Sequence, residues 1–227
     1  MNNNNNPLDH FNERSVGWND LYARPQFRDR LNLFSTKLRQ YVPSGEILDY
    51  GCGGGIIACE IAGADHKVTG VDGAEGMVAE ATRLAADRQL ENVSFQHIDP
   101  DGWRCSGQYQ AIVCSSVLEY VEQDEGLLAT LSEGLVESGY LLISIPTKPS
   151  LLGFVEDMLL STVRKRSDTT FANRRYRLVD FEQMLNRCGL QMCETTSFEF
   201  PIFGRFGVVC SRIPWLGLMT LVVARKI

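Results

Sequence analysis

The sequence has no C-x-x-C pair among its seven cysteines, Cys52, Cys59, Cys105, Cys114, Cys188, Cys193 and Cys210. That absence argues against zinc ribbons and dithiol redox motifs. Most of the seven lie in apolar runs, where cysteine packs as a small hydrophobe, and a reducing, cytoplasmic setting is expected. No apolar run reaches the roughly 18 clean residues of a membrane-spanning helix. The nearest, over 208–224, is broken by Arg212, Pro214 and Gly217. Basic excess is also missing: 22 Lys and Arg face 28 Asp and Glu, for a net charge of −6, which does not fit a nucleic-acid coat. Glycine and proline are at ordinary levels, so collagen-like and low-complexity chains are excluded. Met1 and five asparagines resemble no secretory segment, and residues 1–10 are expected to be a disordered lead-in. What is present is a globular composition, 44% hydrophobic and 22% charged over 227 residues. That length suits one domain that buries roughly 70–75% of its unfolded surface without disulfides.

Along the chain, strand patterns alternate with helical ones. Phe27, Leu31, Phe34, Leu38 and Tyr41 predict a helix over about 20–40. Short buried strands are expected at 46–50, 67–72, 93–97, 109–114 and 140–145, the last closed by Pro146. Helices are expected at 55–63, around Met77 to Ala85, and over 124–136. The alternation implies an α/β fold with a mostly parallel sheet and helices on both faces. Beyond Pro146 come an apolar helix at 150–163 with Ser150 as N-cap, a basic stretch, a helix ending at Gly189, and strands near 190–199 and 216–224.

The sharpest signal is Asp49-Tyr-Gly51-Cys52-Gly53-Gly-Gly55, glycines between a strand and a helix. Such a turn lets a ligand approach the backbone closely. Asp72 ends the next strand, where an acid can hold the two hydroxyls of a ribose. Asp49 stands just before the loop, a poor place for pyrophosphate and a good one for an ammonium. Ile56 occupies the position where the dinucleotide fingerprint wants its third small residue. A nicotinamide-dependent oxidoreductase is therefore a weaker alternative.

These residues, with Val-Thr-Gly-Val-Asp72, resemble the class I S-adenosylmethionine-dependent methyltransferases. Within that family they are most similar to the small-molecule O-methyltransferases of ubiquinone biosynthesis. The resemblance implies a Rossmann-like sheet of seven mostly parallel strands with an antiparallel last strand. It also implies S-adenosyl-L-methionine as cofactor, with S-adenosyl-L-homocysteine (SAH) as product. Gly51, Cys52, Gly53 and Gly55 would line its methionine and ribose side. Asp49 would sit by its amino group and Asp72 on the ribose, with Gly73 under the adenine edge and Met77 packed nearby. Asp99, beside Ile98, would accept from the adenine amino group; its alternative is an ordinary turn before Pro100. Cys114, Ser115 and Leu118 would meet the methionine part, and Arg30 would meet its carboxylate or else be a solvated helix charge. A catalytically silent partner subunit of the same fold is a second alternative.

The ubiquinone-type enzymes usually carry Glu-x-x-Glu-His after the fourth strand. Here the stretch reads Ser116-Val-Leu-Glu119-Tyr120. One acid survives and the histidine is a tyrosine, which argues against a metal-assisted catechol mechanism; no metal is expected. Tyr120, Glu119 and His10 are the candidate bases for a hydroxyl acceptor. His97 is read as facing away and His66 as part of a surface turn. A helical lid over 11–42 would bring Phe11, Trp18 and Tyr22 to the substrate, Trp18 and Tyr22 as its binding surface. A segment at 147–177 would cover the acceptor, with Arg174 and Arg175 binding it. Residues 164–177 carry net +5 and the rest of the chain −11. An acceptor with a greasy and an anionic part, such as a lipid-linked intermediate, is one reading. Peripheral membrane contact is a second, and a packed helix with a solvated loop is a third. No nucleic-acid partner is expected, and the oligomeric state is not legible.

Overall fold

A computed structural model of the chain describes residues 7–148, 174–198 and 219–227. Its framework is a sheet ordered β3-β2-β1-β4-β5-β8-β7, with a short β6 beside the end of β5. The strands are β1 (Gly45–Tyr50), β2 (His66–Asp72), β3 (Val93–His97), β4 (Tyr109–Ser115), β5 (Leu135–Lys148), β6 (Tyr176–Arg177), β7 (Leu190–Phe198) and β8 (Met219–Lys226). Pairing is parallel from β3 through β5, and β8 runs antiparallel to both β5 and β7. The seven-stranded, mostly parallel sheet with its antiparallel last strand is thus present.

The central strands read as continuous apolar runs because both faces are covered. Side chains alternate between the two. Ile112 and Ile143 face Leu128, Leu131, Phe181 and Leu185, which come from α5 (Asp124–Glu133) and α6 (Leu178–Arg187). Val113, Leu142 and Val223 face Phe34, Leu38 and Ile57, from α2 (Pro25–Tyr41) and α3 (Ile56–Ile61). The remaining helices are α1 (Pro7–Glu13) and α4 (Glu75–Asp87).

Several expectations need correction. The helix predicted over 20–40 is two elements, a 3-10 turn (Trp18–Ala23) and α2. Pro25 separates them, since it disfavours helical backbone in Arg24, which is extended at φ −77° and ψ 142°. α2 is built into the core through Phe34 and Leu38, while its first turns bring Phe27 and Arg30 to the cleft described below. α1 starts at Pro7, before residue 10, where the lead-in was expected to end. Pro146 does not close β5 but pairs with Met219. β4 pairing stops at Ser144, so Pro146 stands where the strand has lost one neighbour and a missing donor is tolerated. His66 is not in a surface turn: it is buried at the head of β2 and its Nε2–H donates to the Val42 carbonyl at 2.8 Å. The helix expected at 150–163 and the basic Arg164-Lys165-Arg166 lie outside the described residues. Among the described residues no helix is long and apolar enough to cross a membrane, and all six cysteines are free.

Candidate active site

The sheet order reverses between β1 and β4, and ligands of open α/β sheets bind at the carboxyl ends of strands at such a point. A cleft of about 1350 Å³ opens there. Its floor is the glycine loop. Gly51 and Gly53 adopt left-handed φ of 70° and 52°, which glycine reaches without penalty. A Cβ on Gly51 would run into the Val117 side chain of the loop after β4, so the two loops lie directly against each other. Asp72 joins the floor to the next turn. Its Oδ2 accepts the Gly53 N–H and its Oδ1 the Ala74 N–H, both at 2.8 Å.

Asp49 is 1% exposed, and its Oδ2 is buried without a hydrogen-bond partner. Burial, and then the charge of Asp72, push its carboxyl up to about 7, against the pull of the Ala58 N–H. Burial also raises Asp72, opposed by the Ala74 and Gly53 N–H groups and by His97. A buried acid and a half-buried one beside a glycine cradle favour a ligand carrying positive charge. They fit the amino group, sulfonium and ribose of S-adenosylmethionine. Burial pushes the thiols of Cys52 and Cys114 well above their usual range, so neither is a ready nucleophile.

Most of the expected residues meet at this cleft: Asp49, Gly51, Cys52, Gly53, Asp72 and Gly73 from the cofactor side, with Met77, Ile98, Asp99 and Ser115. Glu119, Tyr120, Trp18, Tyr22, Arg30, Arg174 and Arg175 line it too. Asp99 also accepts the Asp101 N–H at 3.2 Å, a turn contact. Arg30 lies over the rings of Phe27 and Phe198 at 5.5 and 5.6 Å. Arg174 is paired with Asp124 at 2.8 Å, so its charge is already matched.

Four expected residues are not in the lining. Cys114 and Leu118 are fully buried beneath the loop. Gly55 caps α3 at φ 77°, where a Cβ would meet Ala81 and Phe95. His10 points to its helical neighbours, with its ring edge-on to Phe11 and its Nε2 3.4 Å from Arg14. His97 Nε2–H donates to the Gly73 carbonyl at 3.1 Å, in the turn after β2.

Sequence reasoning did not single out Tyr50 and Trp103, whose rings meet at 5.0 Å in the cleft wall. It also passed over Ser116, which lines the cleft at an unusual φ of 55°. The Ser116 N–H donates to the buried Ser144 Oγ at 2.9 Å. The clue for Tyr50 was its place inside the glycine motif; Trp103 had none.

Residues 20–195 match the family model described as Methyltransferase domain. The ubiquinone biosynthesis O-methyltransferase, mitochondrial, of Schizosaccharomyces pombe is 30% identical over 150 residues, 61% of this chain and 54% of that protein. The ubiquinone biosynthesis O-methyltransferase of Hydrogenovibrio crunogenus is 24% identical over 208 residues, 88% of this chain and 86% of that one. The chain spans about half the length of several of the curated relatives it matches. Magnesium protoporphyrin IX methyltransferase from Synechocystis, solved with bound SAH, superposes with a TM-score of 0.72 at 18% identity, covering 97% of this chain and 98% of that one. A family match across most of the sequence, on a sheet of this order with its glycine loop and two acids in place, establishes that the chain belongs to the methyltransferase domain family.

Proposed function

We propose that this chain is an S-adenosylmethionine-dependent methyltransferase acting on a small-molecule acceptor, most simply at oxygen. The observation that carries this reading is Asp49, a buried carboxylate with an unpartnered oxygen beside the Gly51–Gly53 cradle. When bound, the cofactor supplies a methyl group already activated on a sulfonium. The chain then has to align an acceptor. Such alignment lowers a barrier by as much as about 7–11 kcal/mol. Asp72 and the glycine loop hold the donor side. The loop after β4 stands against that floor and offers Glu119 and Tyr120 to the acceptor. Glu119 is 6% exposed yet lines the cleft, and takes the proton from a hydroxyl acceptor. A base in that place contributes typically ~10²–10⁴-fold.

The aromatic wall of Phe11, Trp18, Tyr22 and Tyr120 supports an acceptor with a flat apolar part. An anionic or lipid-linked portion would rest on Arg175, which lines the cleft. Cell extract incubated with methyl-labelled donor and the protein, followed by mass spectrometry, tests the reading. A labelled small molecule formed by the wild type and not by Asp72→Ala is the expected result. Label found only in protein or nucleic acid would contradict it.

A further inference from the structure

Gly54, Gly73 and Gly76 share a property that cofactor binding does not explain. A Cβ on Gly54 would collide with the Asn19 side chain. One on Gly73 would meet Leu8 Cδ2 at 2.9 Å as well as Pro100, and one on Gly76 would meet Ser15 Oγ at 2.6 Å. At Gly54 and Gly76 the space is taken by residues 7–23, and at Gly73 Leu8 of that segment shares it with the nearer Pro100.

The polar contacts are as specific. α4 has no side-chain cap of its own, because Ala74 precedes it, and the first N–H groups of a helix need partners. Asn12 supplies one from α1: its Oδ1 accepts the Gly76 N–H at 2.9 Å. Ser15 Oγ donates to the Asn12 carbonyl at 2.9 Å. Further on, Asn19 Nδ2 donates to the Gly54 carbonyl at 3.1 Å and to Glu80 Oε1 at 3.2 Å. Asn12 thus fastens one end of the segment to the ribose turn and Asn19 the other to the glycine loop. Near these anchors, Phe11 meets Tyr120 and Trp18 edge-on at 5.4 and 5.8 Å.

We infer that Asn12, Asn19 and Gly76 are positioning residues. They seat residues 7–23 on the two turns that hold the cofactor, and so set how long the cofactor stays. This rests on the cofactor class and not on the acceptor. Coupling runs both ways: bound cofactor holds the seat closed.

SAH dissociation by stopped-flow tryptophan fluorescence, with affinity by calorimetry, tests the inference. Gly76→Ala favours the helix but leaves no room for Ser15, and Asn12→Ala removes the acceptor. Both are expected to release SAH roughly tenfold faster or more, with the melting temperature of free Gly76→Ala not lowered. Asn12→Asp keeps an acceptor suited to a helix N-terminus and restores the wild-type rate. Gly63→Ala, with no neighbour nearer than 4.0 Å, leaves it unchanged. Wild-type release from Gly76→Ala and Asn12→Ala, or failure of Asn12→Asp to restore it, overturns the inference alone. Absence of SAH binding by the wild type overturns the cofactor reading and the inference with it.

Discussion

Asp49 meets a burial cost on ionising that the Ala58 N–H relieves only in part. Its carboxyl, raised by burial to about 7, is protonated in the free protein through mildly acidic pH, while an unfolded chain ionises near ~3.9. The folded state therefore binds the extra proton between about pH 4 and pH 7. From this group, stability of the free protein falls as pH rises through that window and levels off above it. An ammonium ligand needs the ionised form, so its affinity moves the other way. SAH affinity is expected to rise by up to about tenfold per pH unit toward pH 7 and to flatten beyond it, as calorimetry across the window would record. Asp49→Asn should remove the slope and weaken binding at pH 8. A slope unchanged in that variant would show that another group is responsible. The type of chemistry at this position was legible in the sequence, because a carboxylate before a glycine turn is unusual. Its depth of burial, and the missing partner of Oδ2, follow from packing by elements distant in sequence and left no local trace.

Among the elements, the α3–α4 contact gives a glycine of the motif a packing reason of its own. Gly55 sits at φ 77°, and a Cβ there would come 2.6 Å from Ala81 Cβ and 2.8 Å from Phe95 Cζ. Left-handed backbone costs a non-glycine residue roughly 1–2 kcal/mol, and overpacking typically adds about 1–3 kcal/mol. Gly55→Ala should lower unfolding stability by about 2 kcal/mol or more in chemical denaturation; a loss under 0.5 kcal/mol would refute this packing role. The same contrast explains what was readable. The buried strands announced themselves as apolar runs, and Gly51 and Gly53 as a turn. Pro146 misled because a proline reads as a stop only where both neighbours of a strand persist. His66 misled because a turn-like stretch between elements carries no sign that Val42 waits above it. Asn12 and Asn19 resemble any polar residues of a helical start; their partners lie 64 and 35 residues away.

Over the whole molecule, the net charge of −6 hides a division, with 164–177 carrying net +5 and the rest of the chain −11. The described cleft draws acids from several loops, and this sets its ligand preference as a unit. At one hundred times its dissociation constant a ligand adds about 2.7 kcal/mol of stability. For a chain of this size that raises the melting temperature by roughly 5–10 °C. SAH should do so, while NAD at the same concentration should not. An equal shift with NAD would reopen the dinucleotide reading that Ile56 and Asp49 argue against.

β8 follows β7 in the chain yet lies between β5 and β7, and six of its eight residues are buried. The strands that carry the cofactor loops, β1 to β5, pair with one another without it. β7 joins the sheet through β8, which pairs with β5 on its other side. Among the described strands β7 is therefore tied to the half that carries the cofactor loops through β8 alone, and a change that frees β8 from β5 would detach both.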